Sequence, residues 1–145
     1  MLILALVTLA LHGVLSGLFY TFSMSVMPGL NAIGPEQAEA AMRSVNRKIL
    51  NPWLYLVFLG APIAALVAGF LADAPAALWF FAGAAVNFAG SFLVTVAINV
   101  PMNNALDAGK MSWQEYSPKW TGWNTLRAVA SVAGLVLVGI GLVNL

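Results

Sequence analysis

The sequence has no cysteine, a single histidine and little charge, with six Lys or Arg set against five Asp or Glu in 145 residues. Each shortage excludes something. Without cysteine there is no disulfide framework, no Cys-based zinc site and no thiol chemistry. Without a second histidine there is no bis-His haem or redox-metal site, and no HExxH, CxxC or Gly-rich phosphate loop occurs in the chain. A formal net charge of +1 provides no basic field for nucleic acid and no acidic tail. Charged residues make up 8% of the chain, against about 25% in ordinary soluble domains, so much of the surface must face something other than water.

What is present is apolar: 61% of residues are hydrophobic and the mean hydropathy is +0.91. Four runs, residues 2–27, 53–72, 76–100 and 123–145, each reach the roughly 20 residues a helix needs to cross a hydrocarbon core of about 30 Å. They lack the period-2 alternation of barrel strands. The expected fold is an all-α integral membrane four-helix bundle, one domain over residues 1–145. Only Ala72-Asp73-Ala74-Pro75 separates the second and third runs, which makes them an antiparallel hairpin. The other two connections are longer and share the opposite side. Residues 36–50 follow Pro35, start with Glu36 and carry Arg47 and Lys48 late, the pattern of a short amphipathic helix at the interface. Asp107-Ala108-Gly109-Lys110 then signals a turn ahead of Trp113, Trp120 and Trp123. All six basic residues (Arg43, Arg47, Lys48, Lys110, Lys119 and Arg127) fall on this side. The positive-inside rule therefore puts the long loops in the cytoplasm and both termini across an inner or plasma membrane. The first run lacks a basic n-region and is too long for a signal-peptide core, so it reads as a retained span, and no lipidation signal accompanies it.

Polar groups inside such spans need a partner, a water cavity or a function. In the third run Asn87, Ser91, Thr95, Asn99 and Asn103 recur at every fourth position, along one slowly drifting face. On the first, His12, Ser16, Tyr20 and Ser23 share a face, with Gly13 and Gly17 beside it. The fourth offers Trp120, Asn124, Arg127, Ser131 and Gly134. The three faces are expected to point at one another, forming a column from His12 near the midplane to a wider vestibule under the long loops. Rows of Asn, Ser and Thr also glue transmembrane helices together, and Arg127 could snorkel to lipid phosphate. His12 differs in being ionisable. Trp53 and Trp79 mark the two aromatic belts, leaving Trp120 and Trp123 as walls of the vestibule. Met24, Met27, Met42, Met102 and Met111 cluster toward the vestibule side; packing explains them better than Cu(I) binding, with no cysteine or second histidine to assist. No acid stands inside a span, which argues against an ion-coupled carrier.

The order of short motifs resembles a known family. His12-Gly-Val-Leu-Ser-Gly-Leu-Phe-Tyr-Thr-Phe22, Val26-Met-Pro-Gly-Leu30, Met42-Arg-Ser-Val-Asn46, Val100-Pro-Met-Asn-Asn-Ala-Leu106 and Trp120-Thr-Gly-Trp-Asn-Thr-Leu-Arg127 are together similar to the small integral-membrane family that contains the anthrone oxygenases. The resemblance implies a four-helix membrane protein and, for some members, oxidation of an anthrone to an anthraquinone by molecular oxygen without added cofactor. The residues matching the family pattern are His12, Asn46, Asn103, Trp120, Trp123, Asn124 and Arg127. Shared scaffold is not shared substrate.

On that reading neutral His12 is the base that removes a proton from a carbon flanked by aryl rings. Asn103 and Arg127 stabilise the resulting oxyanion. Phe19, Tyr20, Trp120 and Trp123 stack on a flat polycycle, with Asn46, Asn99 and Asn124 completing the substrate site. Helical rise places His12 roughly 20 Å below Asn103, too far for one substrate unless the helices tilt or the third span ends early; with the gap intact, Tyr20 or a water chain takes the proton and His12 is structural. The expected ligands are a hydrophobic small molecule and membrane lipids, with no nucleic acid, no cofactor and no metal; a homo-oligomer is left open. Two other classes stand beside the enzyme. One is a non-catalytic membrane module holding a lipid, quinone or haem, its basic segment on anionic headgroups. The other is a subunit of a larger membrane complex.

Overall fold

The computed structural model describes all 145 residues and is all-helical. Five helices follow in order: α1 (Leu2–Asn31), α2 (Pro35–Lys48), α3 (Pro52–Leu71), α4 (Ala76–Asp107) and α5 (Trp113–Val143). All but α2 are long and apolar enough to cross a membrane. They pack in ring order α1–α3–α4–α5, each against the next in sequence, with α5 closing the ring against α1, which is an up-and-down four-helix bundle. Their outer faces carry Ile3, Trp53, Phe70, Leu78 and Val129, all strongly exposed as lipid-facing side chains are.

Local chemistry sets the ends. Asn51 caps α3 by accepting from the backbone N–H of Trp53 and Leu54 at 3.0 and 3.2 Å. Ser112 and Glu115 form a reciprocal capping box at the start of α5. Gly109, at φ +66°, closes α4 in the left-handed conformation that glycine adopts without penalty. The acidic Glu36 lies in the first turn of α2 and Arg47 and Lys48 in its last, so its charges follow the helix dipole.

Three of the spanning helices are longer than their apolar runs. The spacing predicts breaks at Pro28 and Pro101, yet α1 and α4 continue through both. A helix proline clashes with the carbonyl four residues back, here that of Met24 and of Ala97. Both lie in wider i→i+5 turns, Phe22–Val26 in α1 and Thr95–Asn99 in α4, which open the backbone there. Helix α5 likewise starts at Trp113, ten residues ahead of its apolar run. At 1.5 Å per residue, α1, α4 and α5 are about 45 Å long while α3, with 20 residues, is about 30 Å. The surplus projects at one end, where α2 caps the bundle.

The core changes character along the axis. At the α3–α4 hairpin end, Ala5, Ala65, Ala68, Ala76 and Ala84 surround Phe80 and Val138, bringing backbones close. Gly83 and Gly134 face each other across α4 and α5; a Cβ on Gly83 would lie 2.8 Å from Val138 Cγ2 and 3.2 Å from the Gly134 carbonyl oxygen. At the capped end Met27, Met42, Leu106, Trp113, Tyr116 and Trp120 form a cluster of larger side chains that buries the apolar face of α2.

Candidate functional site

Beneath α2 the four long helices part around a cavity of about 350 Å³, walled mainly by apolar side chains such as Leu18, Phe22, Leu54, Phe58 and Val96. Arg127 forms its inner end and is 5% exposed. No carboxylate pairs with it: the ion pairs in the chain are Arg43–Glu39 and Arg47–Asp107. Its Nη1 donates to Thr95 Oγ1 at 2.9 Å and its Nη2 to Asn124 Oδ1 at 2.8 Å. The guanidinium carbon lies 4.4 Å from the Phe19 ring centroid and 5.2 Å from that of Trp120, so two aromatic faces replace a counter-anion. Of the five guanidinium N–H donors, two are committed to those bonds.

The partners of Arg127 are themselves fixed. Asn124 Nδ2 donates to the Phe19 carbonyl at 2.8 Å and to Ser23 Oγ at 2.7 Å, which ties α5 to α1. Asn103 Oδ1 accepts from the Tyr116 hydroxyl and from Trp120 Nε1, both at 2.8 Å. With that oxygen doubly engaged, the Asn103 amide N–H groups remain for whatever enters the cavity that Asn103 lines. Asn46 reaches the same wall from α2. Arg43, also from α2, pairs with Glu39 and donates to the Leu106 carbonyl at 2.7 Å, which holds the cap on α4. The chemistry available is hydrogen-bond donation and positive charge set in an apolar slot with aromatic walls. No three His, Asp or Glu side chains are grouped as a metal site would need.

The structure thus brings Phe19, Asn46, Asn103, Trp120, Asn124 and Arg127 to one cavity. It leaves four expected residues elsewhere. His12 is fully buried deeper in the bundle and does not line the cavity. Tyr20 is 56% exposed, because eight residues on from His12 the helix has drifted by about 80° and Phe19 takes the inward position instead. Trp123 is 40% exposed beside the inward Asn124. Asn99 is buried, with neither amide atom paired, outside the cavity wall.

Other participants have weaker marks in the sequence. Tyr55, Leu54 and Phe58 of α3 line the cavity, although an all-round apolar helix shows no preferred face. Tyr116 lies in a segment expected to be loop; its spacing to Trp120 and Trp113 is the helical signal that finds it. Asn31 accepts from Trp113 Nε1 at 3.0 Å and Ser117 Oγ at 2.7 Å, joining the far end of α1 to the start of α5.

Comparison with curated proteins and with solved structures returns no match. The pattern of one protein family, described as anthrone oxygenase, matches residues 53–137. That segment holds Thr95, Asn103, Trp120, Asn124 and Arg127, while His12, Phe19, Tyr20 and Asn46 precede it. The match spans α3, α4 and most of α5, more than half of the sequence, and the chain belongs to the anthrone oxygenase family.

Proposed function

We propose that this membrane protein oxidises a small, flat, hydrophobic aromatic of the anthrone type with molecular oxygen, and that the reaction takes place in the cavity under α2. The observation that carries this reading is Arg127: a buried cation without a carboxylate, set between two aromatic faces at the inner end of an apolar slot. A neutral ligand that becomes an anion in the slot suits it. An anthrone does so when its CH2 carbon, flanked by two aryl rings, loses a proton and the charge moves to the carbonyl oxygen. Arg127 and the free Asn103 amide hydrogens would receive that oxygen, already oriented before the charge develops. Phe19 and Trp120 supply ring faces for a planar ligand, Asn46 holds an edge, and Asn124 keeps Arg127 in place.

The chemistry balances without a further reductant. The carbanionic carbon adds dioxygen to form a peroxide; the O–O bond then breaks as the remaining hydrogen on that carbon leaves with hydroxide as water. A CH2 and one O2 become a C=O and one H2O. The apolar walls favour both the ligand and dioxygen. A cavity of about 350 Å³ lies within the 300–1,000 Å³ range of small-molecule sites.

The basic residues Arg43, Arg47, Lys48, Lys110 and Lys119 all belong to the capped end, which orients that end to the cytoplasm with Met1 and Leu145 across the membrane. The test is oxygen uptake by the purified chain in detergent with a soluble anthrone and a metal chelator, against the protein-free rate. Uptake well above that rate that survives the chelator is the expected result. Folded protein that binds the anthrone without accelerating uptake would instead establish a ligand-binding membrane module.

A further inference from the structure

The cavity contains no candidate to take the proton. Its ionisable lining groups are Arg43, Arg47, Tyr55, Asp107 and Arg127, and the one carboxylate is at the rim, paired with Arg47 at 3.3 Å. A different buried group has the right chemistry. His12 Nδ1 lies 2.9 Å from the Thr8 carbonyl oxygen, which can only accept, so Nδ1 carries the hydrogen and Nε2 the free lone pair. Nε2 is buried and has no partner. On α4, Asn87 is 1% exposed, and neither its Oδ1 nor its Nδ2 is paired. The two residues meet at one spot on α5: a Cβ on Gly134 would lie 3.4 Å from His12 Cδ2 and 3.6 Å from Asn87 Cβ. Unpaired polar atoms in a bundle interior cost about 1–3 kcal/mol each, so a cluster of three asks for a function.

A row of hydroxyls leads from this cluster to the cavity. Asn87, Ser91 and Thr95 follow at one-turn steps on α4, and Ser131 Oγ of α5 lies 3.5 Å from Ser91 Oγ. Thr95 ends the row in the cavity wall, where it accepts from Arg127. The wide i→i+5 turn at Phe88–Leu93 counters the drift that a regular helix would give residues four apart, which keeps the row in line. Hydroxyls both donate and accept, so water bridging successive members of the row would complete a path for a proton. No competing charge faces His12. The only titratable side chain of α3 is Tyr55 and that of α4 is Asp107, while those of α5 are Glu115, Tyr116, Lys119 and Arg127, all toward the capped end.

We infer that His12 is the remote acceptor of the proton that leaves the ligand in the cavity, reached through Thr95, Ser91 and Ser131, with Asn87 positioning the last step. The inference rests on the oxidation reading above. As the ligand's C–H bond breaks, the electron pair stays on the ligand beside Arg127 and the proton ends on His12 Nε2. The peroxide anion formed with dioxygen then takes that proton back, and loss of water leaves His12 neutral for the next turnover.

The probe is 1,8-dihydroxyanthraquinone, a stable flat phenol whose visible absorption shifts on ionisation, added to the full chain about one unit below its solution midpoint. Because the chain has one histidine, 15N-histidine labelling reports His12 alone. The expected result is dye bound as its anion with the His12 ring nitrogens moved to imidazolium positions. In His12→Gln the ionised fraction of bound dye falls about tenfold, one pH unit's worth. In Ser131→Ala it is retained, while anthrone oxidation slows about tenfold. Bound, ionised dye with the histidine signals unmoved overturns the inference and leaves the oxidation reading intact, as does dye that binds but stays neutral. Failure of the dye to bind, together with no anthrone-dependent oxygen uptake, overturns the oxidation reading itself. If His12→Gln does not fold, the wild-type histidine signals still decide the question.

Discussion

Replacing Arg127 with methionine separates what the buried cation does for folding from what it does for a ligand. An effective penalty of several kcal/mol attends an ion in a protein interior. Against it stand two charged hydrogen bonds, to Thr95 and Asn124, of about 1.5–3 kcal/mol each. Two ring faces at 4.4 and 5.2 Å add about 2 kcal/mol for a desolvated cation. These roughly offset the penalty. Methionine fills similar length without charge, leaving Asn124 Oδ1 short of a donor while Thr95 can turn to the cavity. Arg127→Met is therefore expected to keep thermal stability within about 1–2 kcal/mol of wild type, since exchanging a buried charge for a well-packed apolar group is often neutral. Anthrone-dependent oxygen uptake, in contrast, is expected to fall by about 10²–10³, the usual effect of losing one oxyanion donor. The paired assay is thermal unfolding in detergent by circular dichroism and oxygen electrode rates on the same preparation. A variant that unfolds far below wild type would make Arg127 a structural residue, and one that oxidises anthrone at the wild-type rate would remove it from the chemistry.

Three further outcomes follow from particular contacts. Gly83→Ala sets a methyl against Val138 and the Gly134 carbonyl, so α4 and α5 must separate; a loss of about 1–3 kcal/mol is expected in unfolding midpoint measurements, and an unchanged midpoint would contradict the close approach. Asn31→Ala removes the shared acceptor of Trp113 Nε1 and Ser117 Oγ, which should lower stability by about 2–4 kcal/mol in the same measurement. Tyr116→Phe takes one of two donors from Asn103 Oδ1; Trp120 still holds that oxygen, so the expected change is about 1 kcal/mol in stability and less than tenfold in uptake rate. A larger drop in rate would show that Tyr116 itself meets the ligand.

The bundle was legible because hydrocarbon leaves a chain few options: runs of apolar residues must be helices, and the side holding the basic residues must be the thick one. The inward faces were legible from spacing, since Asn124, Arg127 and Ser131 lie within one narrow angular sector and are all buried. Other features had no local signal. A proline reads as a break unless the preceding turn is widened, and nothing in Phe22–Val26 or Thr95–Asn99 marks an i→i+5 turn in composition. The contribution of α3 to the cavity was hidden because its apolar pattern has no preferred side. Tyr20 was assigned inward by polarity when angular position favoured Phe19. The separation of His12 from the cavity was anticipated by helical rise alone, while the meeting of Ser131 and Ser91 across two helices had no signal in either run taken singly.

The unequal helix lengths bear on supply. Because α3 stops about ten residues short of its neighbours, the upper cavity wall that a full-length helix would furnish is made by Asn46, Ile49 and Leu50 of α2 and its connection. Leu50 is 61% exposed on this thin side. An oily molecule dissolved in the leaflet would meet the protein at that flank after two-dimensional diffusion, without passing through water. Saturation would then follow the mole fraction of ligand in the bilayer, and diluting a fixed amount of ligand with more lipid would slow the protein at constant total concentration.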